Sequence, residues 1–391
     1  VSAPLFRLIH GDCLEVLRNA SDGFVDAVIT DPPGAIDFMN KEWDSARGGR
    51  DAWVAWLAER LAQCYRVLKP GGHILVWAIP RTSHWTGLAI EDAGFEIRDR
   101  VSHLFGTGFP KGGKISKAID KKLGVEPTII GDNPNHRPVS GVEYEGIYQG
   151  GNTGSKHLTA PTSLEAKQWA GWALALKPAC EDWWLARKPF KGALVNNVLK
   201  NGVGCLNVDA CRIGDRWPAH VVLSHHPDCK VVGTKIEKGH KGYPNGPGGK
   251  SVHWYEGSKR SDECRTEPWE GIPDREVPAY DCHPDCPVGQ LDEASAGEGA
   301  SRFFYCAKPT KKERNDGVKK GSNNHPTVKA VELMRWLIRL ITPPGGLVLD
   351  PFTGSGTTGV ASVQEGFRFL GVEENADYMR IAQQRIQAAA G

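Results

Sequence analysis

Apolar positions along this chain alternate between two periods. Residues 25–30 (Val-Asp-Ala-Val-Ile-Thr) form a short, nearly continuous apolar run of strand type that stops at Asp31-Pro32-Pro33-Gly34. Trp53, Trp56, Leu57, Leu61, Tyr65 and Leu68 recur at helical spacing and stop at Lys69-Pro70-Gly71-Gly72. That predicts a helix over 53–68 with a Pro/Gly terminator. A strand over 73–79, a helix over 86–93 and a strand over 95–104 follow. Near the other end, helical spacing returns over 328–341. Residues 347–349 are a strand that opens onto Asp350-Pro351-Phe352-Thr353-Gly354-Ser355-Gly356-Thr357, and a helix, a strand over 367–372 and a last helix complete the chain. Strands alternating with helices predict an α/β fold, a mostly parallel sheet with helices on both faces.

Between these halves the pattern fades. Gly, Lys, Asn and Pro dominate 105–179, and 150–154 has the composition of a mobile loop. Residues 180–187 (Cys-Glu-Asp-Trp-Trp-Leu-Ala-Arg) and 301–307 regain strand character, whereas 308–324 is basic, polar and expected to be flexible. The expected division is 1–105 as one half of the core and 301–391 as the other. Residues 106–300 are then a large irregular insertion, of which 170–190 returns to the core sheet. A chain of 391 residues accommodates one large domain with an insertion, or two domains.

Lys and Arg total 48 and Asp and Glu 46, a formal net charge of +2, so any nucleic-acid contact must come from local patches. No run of about 18 apolar residues exists, which excludes a membrane-spanning helix. No basic-then-apolar leader opens the sequence, so a cytoplasmic protein is expected. Ten cysteines in that setting point to thiols or a metal rather than a disulfide framework.

A strand ending in Asp350, a Gly354-x-Gly356 turn and a helix make the geometry of a nucleotide-type cofactor site, because glycine lets the backbone turn sharply against a ligand. Glu373, at the end of the next strand and 19 residues after Gly354, is placed to accept from ribose hydroxyls. These residues resemble the S-adenosylmethionine (SAM) motif of DNA amino-methyltransferases, with Asp350, Phe352, Gly354, Gly356 and Thr357 at its defining positions. Asn324-His325-Pro326-Thr327-Val328-Lys329 is similar to the family segment that completes the methionine pocket, which implies cofactor contacts from Thr327 and Lys329. Ala330 stands where the family has Pro. Gly11-Asp12-Cys13 resembles the segment near the cofactor adenine, with Asp12 as acceptor; a plain turn Asp is the alternative.

Asp31-Pro32-Pro33 is similar to the family's catalytic motif. An exocyclic base amine is a poor nucleophile, because its lone pair is delocalised into the ring. The Asp31 carboxylate and a backbone carbonyl fixed by Pro32 and Pro33 would accept its two N–H groups and free that lone pair. The target base must leave the duplex stack to reach them. The family has an aromatic residue after the second Pro, which stacks on the base; here Gly34 stands. Phe38 and Trp43 are the candidates to replace it, with ordinary core packing open for both. Asp rather than Ser at position 31 implies adenine-N6 over cytosine-N4. Catalytic motif first and cofactor motif last implies a circularly permuted, Rossmann-like fold of the β group. Residues 108–111, 175–179 and 186–189 resemble phage and prophage members. The resemblance covers roughly 8–105, 170–190 and 300–390. Double-stranded DNA is the implied partner, and a homodimer and an associated restriction enzyme stay open.

Within the insertion, His225-His226-Pro227-Asp228-Cys229 and Cys282-His283-Pro284-Asp285-Cys286 are two similar units. His225, Cys229, Cys282 and Cys286 would satisfy a tetrahedral structural zinc. Free buried thiols remain the alternative, and His226, His283, Cys205, Cys211 and Cys264 are further candidate ligands. Lys111, Lys114, Lys117, Lys121 and Lys122 form one basic stretch; Lys308, Lys311, Lys312, Arg314, Lys319 and Lys320 form another. Either can face phosphates or be an ordinary solvated surface. The rivals to DNA adenine methylation are cytosine-N4 methylation, methylation of RNA or a protein amide, and a non-catalytic DNA-binding protein on the same fold.

Overall fold

The computed structural model describes residues 5–36, 44–45, 47–108, 113–133, 156–214, 216–237, 240–243, 269–272, 274–296, 299–310, 312–318 and 323–391. The chain opens with β1 (Phe6–His10), α1 (Cys13–Arg18), β2 (Val25–Thr30), α2 (Arg50–Val67), β3 (Leu68–Ala78), α3 (Ser83–Asp92) and β4 (Glu96–Leu104). Next come α4 (Ile115–Leu123), β5 (Thr128–Asp132), β6 (His157–Ala160), α5 (Leu164–Gln168), β7 (Cys180–Arg187), α6 (Leu194–Asn201) and β8 (Val221–Ser224). β9 (Lys230–Glu237), β10 (His240–Tyr243), β11 (Trp269–Ile272), β12 (Arg275–Asp281) and α7 (Pro287–Ala294) follow. The last part holds β13 (Tyr305–Ala307), α8 (Val331–Ile341), β14 (Leu347–Asp350), α9 (Thr357–Gln364), β15 (Arg368–Glu373) and α10 (Ala376–Ala389).

Nine strands make one sheet in the order β1-β15-β14-β2-β3-β7-β4-β8-β13. β7 runs antiparallel to β3 and β4, and the other pairings are parallel. The fold is therefore α/β with a mostly parallel sheet, and the motif order is permuted: the Asp31 strand comes first in the chain, yet lies beside the Asp350 strand that comes late. Both faces of the sheet are covered. Ala27 and Ile29 of β2 face the core built on α8, α9 and α10, while Val28 faces the core built on α2 and α3. This is why all six residues of β2 are buried and its sequence does not alternate. Asp26, its one charged residue, pairs with Lys69 Nζ at 2.5 Å and accepts from the Leu347 amide at 2.7 Å.

Three local expectations change. Lys69–Gly72 is not a turn outside the sheet: α2 ends at Val67, and the register with β2 jumps from Leu68 to His73, so these residues form an irregularity inside β3. Gly71 has φ +84° there, and a Cβ on it would meet Asn197 Nδ2 at 2.2 Å. Of 301–307 only the last three residues are strand; residues 300–303 form a 3₁₀ turn. The region expected as insertion adds β8 as well as β7 to the sheet. Residues 150–154 lie outside the described residues. No helix among the described residues is long and apolar enough to cross a membrane.

Candidate active site

Parallel strands present their carboxyl ends along one edge, and β2 and β14 bring the two motifs there side by side. Thr30 Oγ1 donates to Asp350 Oδ1 at 2.8 Å. The same carboxylate accepts from the Phe352 amide at 3.1 Å and from Thr358 Oγ1 at 2.6 Å. Asp350 is thus buried and satisfied by protein donors, and it ties strand, turn and helix together. Burial pushes its acid up to about 6, against these hydrogen bonds.

The glycine turn is shaped by its neighbours. Gly354 has φ +54°, and a Cβ on it would lie 2.8 Å from His325 Nε2. Its amide donates to Glu373 Oε2 at 2.7 Å, and Glu373 Oε1 accepts from the Asn375 amide at 2.8 Å. Arg385, buried on α10, donates from Nη1 to the Ser355 carbonyl at 2.7 Å and to Thr357 Oγ1 at 3.1 Å. His325 packs against Tyr378 at 4.6 Å between centroids, so the 323–329 segment lies against the turn. The Thr327 amide donates to His325 Nδ1 at 3.4 Å.

Asp31 follows β2 and meets Lys329 Nζ, 3.0 Å from its Oδ2. Lys329 also lies 3.3 Å from Glu181 Oε2 and 3.7 Å from the centroid of Trp77. Trp77 Nε1 donates to the same Glu181 oxygen. Behind Glu181, His103 Nδ1 lies 3.7 Å from Oε1, and His103 Nε2 pairs with Ser224 Oγ at 2.8 Å. Burial pushes the Asp31 carboxyl up to about 6, with Lys329 opposing. Burial acts on Glu181 too, but Lys329 and His103 outweigh it and hold that acid near 2. Lys329, penalised by burial, is raised by its two carboxylates. Pro33 leads into Gly34, whose amide donates to Asp44 Oδ1 at 2.5 Å and whose carbonyl accepts from Thr82 Oγ1 at 2.7 Å. Phe38 and Trp43 lie outside the described residues.

Asp12 caps α1, accepting from the Leu14 amide at 2.8 Å, and its other oxygen pairs with Arg60 at 3.1 Å. Arg60 lies over Trp56, which packs on Phe352 at 5.8 Å between centroids. Sequence reasoning named neither Glu181, Trp77 nor Arg385. Glu181 and Asp182 at the head of an otherwise apolar strand were the available signal.

His225, Cys229, Cys282 and Cys286 converge, with their ligand atoms within 4.8 Å of one another. His225 Nδ1 is 3.7 Å from both Cys282 Sγ and Cys286 Sγ. The two units form matched turns: Asp228 and Asp285 amides donate to His226 and His283 Nδ1 at 3.2 and 3.1 Å, and the two imidazoles stack at 3.9 Å. Of the other candidates, Cys211 is buried against the Trp336 carbonyl, Cys205 is exposed, and Cys264 lies outside the described residues. Lys114, Lys117, Lys121 and Lys122 are exposed on and beside α4. In the second basic stretch, Lys308 Nζ holds the His226 carbonyl at 2.8 Å and Arg314 the His325 carbonyl at 2.7 Å, so both serve the protein interior rather than a free loop. Lys111, Lys311, Lys319 and Lys320 lie outside the described residues.

The family model described as DNA methylase, N6_N4_Mtase, matches residues 25–104 and 180–384. Among curated relatives, the type II methyltransferase M2.DpnII of Streptococcus pneumoniae is 42% identical over 71 residues, 18% of this chain and 26% of that protein. The DNA adenine methyltransferase YhdJ of Escherichia coli K12 is 40% identical over 67 residues, 17% of this chain and 23% of that protein. The matches therefore span about a quarter of those relatives' lengths. Among solved structures, the cytosine-N4-specific PvuII DNA methyltransferase aligns over 98% of this chain and 87% of its own, at 14% identity and a TM-score of 0.43. The M1.HpyAVI–SAM complex aligns over 97% and 99%, at 17% identity and 0.38. With its model matched over most of the chain, on both sides of the permuted order, this protein belongs to the N6/N4 DNA methylase family.

Proposed function

We propose that this protein transfers a methyl group from SAM to the exocyclic N6 amine of adenine in double-stranded DNA, acting on a base turned out of the duplex. The observation that supports this most is the seating of Asp31 and the Gly354 turn on adjacent strand ends, coupled by Thr30 and Asp350. When bound, SAM supplies a sulfonium methyl group open to in-line attack by an amine, which needs no covalent enzyme intermediate. The residues present fit it. Glu373 retains lone pairs for ribose hydroxyls, and Gly354 and Gly356, without side chains to meet His325 and Ala382, let the turn close tightly. Phe352 lines the adenine end, with Asp12 behind it through Arg60 and Trp56. Thr327 and Lys329 face the methionine end; Asp350 and Thr357 hold the turn. Asp31 accepts one N–H of the target amine and a carbonyl of the Pro32-Pro33 segment the other, so positioning and electrostatics supply the rate. Asp at position 31 favours adenine, and one relative is named an adenine enzyme.

The Cys/His quartet is read as a structural zinc site. Tetrahedral zinc with bonds of about 2.3 Å to sulfur and 2.0–2.1 Å to nitrogen separates ligand atoms by about 3.6–3.8 Å, and the His225–Cys distances are 3.7 Å. The exposed lysines of α4 are suited to DNA phosphates. The protein would work in the cytoplasm, where bacterial or phage DNA lies.

Incubation with SAM and unmethylated plasmid, followed by mass spectrometry of digested nucleosides, tests the reading. N6-methyladenine is expected, and Asp31→Ala should abolish it while SAM binding persists. N4-methylcytosine would keep the mechanism and overturn the base. No methylated nucleoside from SAM-binding protein would overturn the reaction.

A further inference from the structure

Gly34 leaves a space that the neighbouring strand fills. A Cβ at this position would lie 3.5 Å from Ile79 Cδ1 and 3.7 Å from Trp77 Cζ3. An aromatic side chain growing from residue 34 would therefore compete with the Trp77 indole. Trp77 is half-buried: it packs on the core built on α8, and its Nε1–H is fixed on Glu181. Its ring carries the Lys329 ammonium 3.7 Å from the centroid, and that ammonium also reaches Asp31 Oδ2 at 3.0 Å. An N–H donor on Asp31 thus already lies against an indole face.

We propose that Trp77 is the aromatic surface on which the extruded base lies, that the Lys329 ammonium holds the place of the target amine in the resting site, and that Glu181 retains Lys329 when the base enters. This rests on the proposed DNA methylation. An ammonium over an indole and a base against it use the same π surface. An ammonium and a base amine also both donate N–H to a carboxylate, so on the one indole face the two compete for Asp31 Oδ2. Glu181, 3.3 Å from Lys329, keeps a counter-charge for the displaced ammonium. Its carboxyl, held near 2 chiefly by Lys329 against burial, stays ionised. Trp77 Nε1 orients Glu181 from one side and His103 from the other, and Ser224 Oγ fixes His103 at 2.8 Å. Glu181 is a positioning residue in this scheme and Trp77 a base-binding one.

The test is steady-state methylation of unmethylated plasmid by the full chain, with SAM affinity measured separately. Trp77→Ala is expected to raise KM for DNA about 10–100-fold, the range that loss of one stacked base implies, with the Kd for SAM within about twofold of wild type. Trp77→Phe should recover most of the loss, and Gly34→Tyr added to Trp77→Ala should recover part of it by returning an aromatic ring from the other strand. Glu181→Gln should lower kcat about tenfold or more while leaving KM for DNA in place. An unchanged KM for DNA in Trp77→Ala would overturn the stacking role. So would equal impairment of Trp77→Ala and Trp77→Phe with SAM binding lost in both, which marks packing alone. An unchanged kcat in Glu181→Gln would overturn the retention of Lys329 by Glu181. In those cases wild-type transfer that Asp31→Ala abolishes leaves the methylation reading intact, whereas a wild type that never methylates DNA removes that reading itself.

Discussion

Thr30 Oγ1 and Asp350 Oδ1 are 2.8 Å apart, joining the residue before Asp31 to the residue that opens the glycine turn, 320 positions later in the chain. The bond makes one rigid edge out of two motifs. Asp350 is a buried acid with its other donors already named, so Thr30→Val removes a hydrogen bond to a charged group without changing side-chain shape. The expected cost is about 1–3 kcal/mol, read as a lower urea midpoint with unchanged slope. SAM affinity should fall with it, because Asp350 also anchors the Phe352 amide. Full stability and full affinity in Thr30→Val would show that the coupling is incidental.

Asp31 gives the pH dependence. Asp31 accepts the amine N–H as a full anion only when ionised, and burial has raised this carboxyl to about 6. A raised acid is protonated below that value. Transfer should therefore be flat above about pH 7 and fall tenfold per unit below about pH 6. Lys329 opposes the shift, so Lys329→Ala at saturating SAM should move the midpoint upward. A midpoint near 4 in the wild type, the range of an unburied carboxyl, would contradict the assigned environment.

The chain announces its sheet more clearly than its site. β2, α2, α8 and β14 were legible because burial on one face imposes a helical period and burial on both faces imposes a continuous apolar run. Lys69–Gly72 misled because Pro and Gly punctuate a strand irregularity as well as a turn, and only pairing with β2 distinguishes the two. Charge misled in a similar way. Lys308 and Arg314 read as part of a basic run for phosphates or for solvent, but each folds back on carbonyls of segments distant or adjacent. The quartet His225, Cys229, Cys282 and Cys286 was legible because a duplicated turn sequence places like ligands at like offsets. Glu181 and Trp77 were not. Trp77 belongs to a strand whose apolar pattern accounts for it, Glu181 is an acid at the head of a strand with no partner visible in the sequence, and only the antiparallel insertion of β7 beside β3 brings both to Lys329.

Metal content tests the quartet directly. The purified protein should carry one zinc per chain, and Cys286→Ser should lower both occupancy and Tm. The turn following β8 begins at His225, immediately after the Ser224 that fixes His103. Zinc removal by chelator should therefore slow methyl transfer as well as destabilise the fold, while SAM affinity at the far side of the sheet is largely retained. Protein with well under one zinc, fully active and equally stable in chelator, would return these residues to ordinary buried thiols.

Two glycines of similar backbone separate strain from packing. Gly356 has φ +82° and Gly366 φ +78°, so an L side chain at either is held in the left-handed region, at a cost of roughly 1–2 kcal/mol. Around Gly366 a Cβ meets nothing within 4 Å, whereas at Gly356 it meets Ala382 Cβ at 2.8 Å and Cα at 2.9 Å. Gly366→Ala should therefore lower stability by that strain alone and leave SAM binding unchanged. Gly356→Ala should cost more, about 1–3 kcal/mol further from overpacking, because α9 must move off α10. That movement also disturbs Arg385, whose guanidinium spans Ser355 and Thr357. SAM affinity should fall in Gly356→Ala only. Equal stability losses and equal affinities in the two variants would mean that the turn answers to backbone strain and not to the contact between the helices.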